Sequence, residues 1–357
     1  MKTKLFFIIT FLSFSLLSAQ SVGDTFVIEG LTYKITELGT SNTVEVSNDG
    51  TVSGSVTIPS TVVDGVTYDV TAIGKSAFQA NVNITEVILP SSVTHIKESA
   101  FHGCTILASA NLENLVQIDK RGFRECQVLV PTDTNLANLT TTGPSAFDRC
   151  NGFKSLNLPV LTSVSDYSFV KCTNMTYVTL SPSLTDIPLG MFDENTSLES
   201  ITIPSKVTTI GKWAFRNAGF KTVTSLNPTP PTVDANAFLS SGYTTIPLLV
   251  PSGAETAYGS AAVWEDFASL DVLSVSNVKQ NLNFNVYPNP VNDVIFIKGE
   301  DVDNANISVY DFRGKMLLSS NITEISPEVN ISTLATGVYF LKIKTQTGEF
   351  TKKIVKK

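Results

Sequence analysis

Four cysteines and two histidines are the residues of this chain best suited to redox or metal chemistry. Cys104, Cys126, Cys150 and Cys172 follow one another at steps of 22, 24 and 22 residues, with His95 and His102 close to the first of them. An even cysteine count raises disulfides if the chain is exported. Cysteine beside histidine raises zinc, but structural zinc sites draw on close pairs such as C-x2-C, and the chain has none. His95 and His102 occupy positions filled by Ala72 and Gln79 one repeat earlier, and a metal needs several convergent, supported ligands. They read as exposed surface residues. There is no H-E-x-x-H, no G-x-S-x-G elbow and no glycine loop shaped for phosphate. A Ser-His-Asp triad would have to use one of the two histidines. Carboxylate pairs for glycoside hydrolysis are not marked either, since the acidic residues fall at positions that vary from copy to copy. No catalytic, cofactor-binding or metal residue is assigned, and the chain is expected not to be an enzyme.

The cysteine spacing belongs to a longer rhythm. Phe78, Phe101, Phe123, Phe147, Phe169, Phe192, Phe215 and Phe238 recur at steps of 22 to 24 residues. Five residues before them stand Ile73, Ile96, Ile118, Thr142, Val164, Ile187, Ile210 and Val233. Eight before stand Val70, Val93, Leu115, Leu139, Leu161, Leu184 and Val207, with Pro230 the exception. Downstream come short alternating runs closed by proline, "ITEVILP", "FKSLNLP" and "LESITIP", which read as strands. A unit of this length cannot enclose a core alone, but stacked copies place each Phe above its equivalent. The period therefore predicts a solenoid in the leucine-rich-repeat size class, of about eight 23-residue rungs.

That periodicity assigns the reactive residues to slots. Every cysteine lies three residues after its Phe, where other copies have Asn81, Asn195, Ala218 and Ser241. The slot is expected to want a small buried side chain, and a free Cys packs as a small hydrophobe. Buried thiols are favoured over disulfides, although stacked equivalents about 5 Å apart would lie within bridging range. Two polar rows are expected on the outside: Ile88, Asn111, Asn157, Thr179, Thr202 and Thr224 in the strands, and Thr71, Thr94, Val116, Thr140, Thr162, Thr185 and Thr208 seven residues before each Phe. Threonine suits any half-buried pleated surface. The same rows would also give an extended face for a protein or glycan. Trp213 is expected to be an exposed aromatic on that surface, but no residue pattern marks a ligand site.

The consensus V-T-x-I-G-x-x-A-F-x-x-C-x-x-L-x-x-V-x-L-P resembles the BspA-like bacterial leucine-rich repeat over roughly residues 24–273. The resemblance implies a β-hairpin entry cap at 21–69, repeats at 70–250 and a closing cap at 251–275, in which Tyr258, Trp264 and Phe267 cover the last rung. Solenoid ends need such covers. Thr142 and the early Pro131 depart from the pattern, so the third and fourth repeats are expected to be irregular. The family is associated with adhesion to host or matrix proteins and to other cells.

After a polar join at 276–283 the repeat disappears. "FNVYPNPVNDVIFIKG", "ISVYDFRGKMLLSS" and "ISTLATGVYFLKIKTQTGEFTKKIVKK" alternate hydrophobic residues between Pro-Asn, Arg-Gly and Thr-Gly turns, which predicts a small antiparallel β-sandwich. Residues 284–357 resemble the type A C-terminal sorting domain of the type IX secretion system. Tyr287-Pro288-Asn289-Pro290, Val309-Tyr310-Asp311 with Gly314, Gly337-Val338-Tyr339 and the Lys-rich terminal strand carry the resemblance. It implies the type IX machinery as a partner, export through the outer membrane, and removal of the tail. The other reading is an ordinary immunoglobulin-like accessory domain.

Residues 1–20 show Lys2 and Lys4, an apolar stretch and small residues near Ala19, the layout of a secretory signal peptide. No Cys follows the expected cut, which argues against a lipid anchor, and no later apolar run is long enough to span a bilayer. The formal charge of −7 is uneven: 13 Lys+Arg face 24 Asp+Glu over 21–275, whereas 276–357 carries 10 against 8. An acidic main domain repels phosphate backbones, so nucleic acid is an improbable partner. The chain is expected to be an exported surface or secreted protein that binds a protein or glycan ligand. A secreted hydrolase and a structural coat without a specific ligand are the alternatives. Because caps and core both fall within residues 21–275, that fragment is expected to unfold cooperatively as a soluble β-rich unit. An aggregated or unfolded fragment, beside a folded longer chain, would misplace the boundary.

Overall fold

Each repeat contributes two very short parallel strands and a tight turn holding its Phe. The computed structural model describes residues 20–47, 52–132, 136–273, 285–298, 306–311, 315–321, 328–344 and 349–357. The expected leader lies outside these apart from Gln20, and the join at 276–283 lies wholly outside them. The chain divides into two compact units between Val272 and Leu273.

In the first unit, the strand Val66–Ile73 is followed in parallel by His95–Ile96, Gln117–Ile118, Thr141–Thr142 and Ser163–Val164. Their register sets Ile73, Ile96, Ile118, Thr142 and Val164 side by side. The row resumes as Asp186–Ile187, Thr209–Ile210 and Thr232–Val233. A second row runs Gly54–Thr57, Ile84–Ile88, Ser109–Ala110 and Val130–Pro131. It continues in separate sheets as Ser155–Asn157 with Tyr177–Thr179, and as Ser200–Ile203, Thr222–Ser225, Pro247–Pro251 and Ser269–Leu273. The runs that proline closes, such as Ile84–Ile88 and Ser200–Ile203, belong to this row. The structure is a β-solenoid of leucine-rich-repeat type with almost no helix among the described residues.

Between the rows the phenylalanines form one column. Successive ring centroids from Phe78 to Phe238 lie 5.0–6.1 Å apart, and most pairs are close to parallel. All eight rings are fully buried. Each ring is held from both sides by backbone. The Phe78 amide donates to Ala100 O at 2.7 Å and the Phe192 amide to Ala214 O at 2.8 Å, each reaching the next rung. Two residues before the Phe, the backbone turns left-handed at Ser76, Ser99, Arg121, Ser145, Tyr167, Gly190 and Trp213, with φ between 56° and 60°. Two residues after, it does so again, at Ala80, Gly103, Glu125, Arg149, Lys171, Glu194, Asn217 and Ser240. Most are not glycine, so each costs roughly 1–2 kcal/mol, offset by the bonds between rungs. Gly190 has a further reason: a Cβ there would sit 2.2 Å from the ring of Tyr167.

The irregular repeats are local adjustments. Thr142 is buried, and its hydroxyl donates to Ser168 Oγ at 3.1 Å, satisfying a polar group where the other copies have an aliphatic one. Pro131 pairs with Ala110, and the second row breaks beyond it. At the entry end, Thr25–Ile28, Leu31–Glu37 and Thr43–Val46 form antiparallel hairpins, and the last runs parallel to Val66–Ile73. Phe26, Tyr33 and Tyr68 cluster there, with centroids 5.4 and 5.8 Å apart. At the closing end Trp264 and Phe267 pack on Phe238 at 6.0 and 5.6 Å. Tyr258 Oη donates to Asn227 O at 2.8 Å, and Trp264 Nε1 donates to Pro231 O at 2.8 Å.

The second unit has two antiparallel sheets, ordered Asn285–Tyr287, Val294–Lys298, Glu328–Asn330 and Met316–Asn321, Asn306–Tyr310, Gly337–Lys344, Glu349–Lys356. Ile295, Ile297, Ile307, Val309, Leu341, Ile343 and Ile354 form its own core. The buried ammonium of Lys356 donates to Asp293 Oδ1 at 2.9 Å and to the carbonyl of Asn292.

Phe169 lies between Phe147 at 5.4 Å and Phe192 at 5.7 Å. Phe169→Ala should cost roughly 3–5 kcal/mol, because mid-column neither neighbour collapses easily into the gap. Denaturant titration measures it, and an unchanged midpoint would remove the Phe column from the core.

Candidate functional site

The cysteines turn inward. All four are buried free thiols. Each Sγ–H donates to the carbonyl of the Phe one rung earlier: Cys104 to Phe78 at 3.0 Å, Cys126 to Phe101 at 3.1 Å, Cys150 to Phe123 at 3.1 Å and Cys172 to Phe147 at 3.2 Å. Burial pushes the Cys126, Cys150 and Cys172 thiols well up, away from the thiolate that nucleophilic or metal chemistry needs. The slot is more than a small cavity. Asn81 donates to Val52 O at 2.8 Å, Asn195 Oδ1 accepts from the Cys172 amide at 2.8 Å, and Ser241 Oγ donates to Phe238 O at 2.7 Å. Except for Ala218, its occupants carry a polar tip that stitches the backbone.

The histidines do not converge. His95 Nε2 lies 3.0 Å from Asp119 Oδ2, and His102 Nε2 lies 3.7 Å from Glu125 Oε2. Both are half-buried against the next rung, where the sequence suggested free exposure. Burial lowers the His102 pKa, and Glu125 opposes that shift. Among the described residues no group of three or more His, Cys, Asp or Glu could hold a metal ion.

Charged side chains beside the left-handed turns neutralise one another from rung to rung. Lys75 pairs with Glu98 at 2.8 Å, Arg124 with Asp148 at 3.0 Å, Arg149 with Glu125 at 3.1 Å and Lys171 with Glu194 at 3.3 Å. Arg216 grips Asp193 with two bonds, 2.8 and 2.6 Å long. Trp213 belongs to this edge. Lys212 Nζ lies 4.4 Å and Arg216 Cζ 4.7 Å from its ring centre, as cation–π partners. Its ring is half-buried under those cations, so the expected exposed aromatic is a strut between charges.

The polar rows divide. In the row seven residues before each Phe, Thr140 Oγ1 donates to Val116 O at 3.1 Å and Thr208 Oγ1 to Thr185 O at 3.3 Å. Asn111 clasps Leu89 through both its amide groups, at 2.7 and 2.8 Å. Those side chains serve the stack. The strand face keeps others outward, including Thr179 and Thr202. Beside them the register aligns Glu86, Ser109 and Val130, then Ser155 with Tyr177, then Ser200 with Thr222. Tyr177 is the aromatic of that series and is 54% exposed. Its position two residues before an outward threonine signals it in the sequence, but only once the strand is phased. Among the described residues no helix is long and apolar enough to cross a membrane.

The BspA type Leucine rich repeat region family matches residues 51–135, 71–159 and 132–245, in six copies. The Secretion system C-terminal sorting domain matches residues 285–357. Comparison with curated proteins gives no match. Among solved structures the chain is similar to a leucine-rich repeat protein from Bacteroides ovatus ATCC 8483, at 23% identity over 70% of this chain and 76% of that one, with a TM-score of 0.48. It is similar to the T. pallidum Leucine Rich Repeat protein at 23% identity over 54% and 89%, with a TM-score of 0.47. A leucine rich cell surface protein from Faecalibacterium prausnitzii A2-165 shares 16% identity over 72% and 97%, with a TM-score of 0.27.

Thiols that spend their protons on backbone carbonyls inside the column should resist alkylation while the protein is native. After denaturation without reductant, mass spectrometry should count four alkylated cysteines. Detection of a Cys104–Cys126 or Cys150–Cys172 bridge would overturn the thiol assignment.

Proposed function

This chain belongs to the BspA-type leucine-rich repeat family, and from that premise we propose that its solenoid is a recognition module that adheres to an extracellular protein or glycan. The protein is exported: its sorting domain directs it to the cell surface or the medium. One observation carries the binding reading. Along the second strand row, inward positions hold Val87, Ala110, Leu156, Val178, Ile201, Val223 and Leu248, all apolar and buried. Outward positions one residue away run through Glu86, Ser109, Val130, Ser155, Tyr177, Ser200 and Thr222, where small hydroxylated residues alternate with an acid, a valine and a tyrosine, the last two exposed. Packing fixes the first series and leaves the second open to selection by a ligand. Rows repeated once per rung make a long, rigid face, the kind of surface through which solenoids bind.

On this proposal residues 21–275 do the binding, with 21–69 and 251–275 as caps, and residues 284–357 form a removable address. The address has its own core and a net charge opposite in sign to that of the solenoid. An array of extracellular matrix proteins and glycans tests recognition, and a chain that captures nothing on it would favour a passive coat component.

Deleting residues 284–357 should leave the protein in the periplasm and leave the solenoid's affinity for an array hit unchanged. Terminal peptide mapping of surface or medium material should lack the peptide ending "TKKIVKK". Finding Lys357 in the mature form would reduce the tail to an accessory domain.

A further inference from the structure

Regular strand pairing in the second row lapses between Tyr177–Thr179 and Ser200–Ile203, where the Glu199 amide still donates to Thr176 O at 3.3 Å. Tyr177–Thr179 pairs back to Ser155–Asn157, whereas Ser200–Ile203 opens a separate four-stranded sheet. At that seam lies a groove of about 200 Å³, bounded by Tyr177, Pro182, Pro204 and Leu226, with the hydroxyl residues Thr179, Thr202 and Ser205 in its lining. Its exposed walls are apolar: Tyr177 is 54% and Leu226 43% accessible.

Three properties restrict what fits. The volume is below the roughly 300–1,000 Å³ of pockets that enclose drug-sized ligands, so one ring seats there and the remainder of a ligand runs along the face. Apart from the Tyr177 phenol, nothing ionisable lines the groove, and the domain around it is net acidic. An anionic group would therefore meet no cation and would be repelled at longer range. Finally, apolar and polar surface meet. A purely aliphatic ligand would strip water from the three hydroxyls without replacing its hydrogen bonds. A polyproline segment docks in grooves lined by several aromatics, and here Tyr177 is the single aromatic of the lining.

A neutral pyranose has the matching character. One face of the ring is an apolar, weakly positive array of C–H bonds that stacks on an aromatic face. Its rim is hydroxyl, able both to donate and to accept. We propose that this groove is a sugar subsite, in which Tyr177 stacks on a neutral pyranose of a glycan chain while Thr179, Thr202 and Ser205 bond its hydroxyls. The proposal rests on the recognition function above and narrows it to neutral glycans held on the strand face.

Saturation-transfer NMR on the full chain tests it, with maltohexaose, cellohexaose, xylohexaose, mannohexaose and chitohexaose as neutral probes and a heparin hexasaccharide as the anionic one. At least one neutral hexaose should receive saturation at its ring protons. Tyr177→Ala, which removes an exposed side chain, should leave the melting midpoint in place and weaken that binding by about threefold to tenfold. Tyr177→Phe keeps the stacking face and should bind within about twofold of the native chain. Three results would each overturn the subsite: no binding of any neutral hexaose, binding of heparin alone, or binding untouched by Tyr177→Ala. Absence of any neutral-hexaose binding, beside capture of a matrix protein by the native chain, would sink the sugar groove while leaving the recognition function intact.

Discussion

Everything in the solenoid depends on the phenylalanine column. A 23-residue turn has too little apolar surface to hold itself together, and its two strands are often only two residues long. Isolated, such strands would not persist. Stacking removes the difficulty, because each ring is covered by the rings above and below it at 5.0–6.1 Å. The column has a conformational cost. To aim the ring inward, the backbone turns left-handed on both sides of it, through bulky residues such as Arg121, Tyr167 and Trp213. That strain persists only because each Phe amide from Phe78 to Phe215 is bonded to the neighbouring rung, so column, strain and ladder form together.

The same constraint explains where function is free to sit. Inside, a side chain must match its neighbours above and below. The turn edge is occupied as well, because its charges are paired from rung to rung and the Trp213 ring is covered by Lys212 and Arg216. Exposed ion pairs of this kind add little stability singly. As a series, however, they leave few unmatched charges on that edge for a partner. The strand face carries the fewest structural obligations, and there the groove beside Tyr177 opens where two sheets part.

Much of this was legible in the sequence, and the exceptions have physical reasons. The Phe period, the Ile row and the proline-closed strands follow from spacing alone, because stacked equivalents must be alike. The first-row strand in most turns, as at His95–Ile96 and Gln117–Ile118, leaves no alternating signature since it is two residues long. The left-handed turns are hidden because Ser, Arg, Tyr and Trp occupy them where glycine would have announced them. Trp213 looked exposed because its slot holds Ser76 in the first copy. Its burial comes from Lys212 beside it in sequence and Arg216 three residues on, a contact made by that backbone turn. Tyr177 drew no notice beside the threonine row, and the break between sheets that gives it a groove is a three-dimensional feature.

The slot after each Phe shows how a repeat adapts without losing its register. In the middle of the stack it holds Cys, whose weak S–H donor reaches back to a Phe carbonyl one rung away. In the first rung, where no Phe of the column precedes, Asn81 fills it and reaches Val52 at the entry end. In the last rung Ser241 bonds the carbonyl of its own Phe238. Each side chain is matched to the backbone available at its level. An unsatisfied carbonyl buried in the column would cost on the order of 1–3 kcal/mol, comparable to what a good stacking contact returns. The cysteines are thus explained by their neighbours and need no redox role. Replacing a mid-stack Cys with Ser keeps a donor but shortens its reach, whereas Ala keeps the size and loses the bond. The difference between those two substitutions measures how much of the slot's selection is hydrogen bonding and how much is volume.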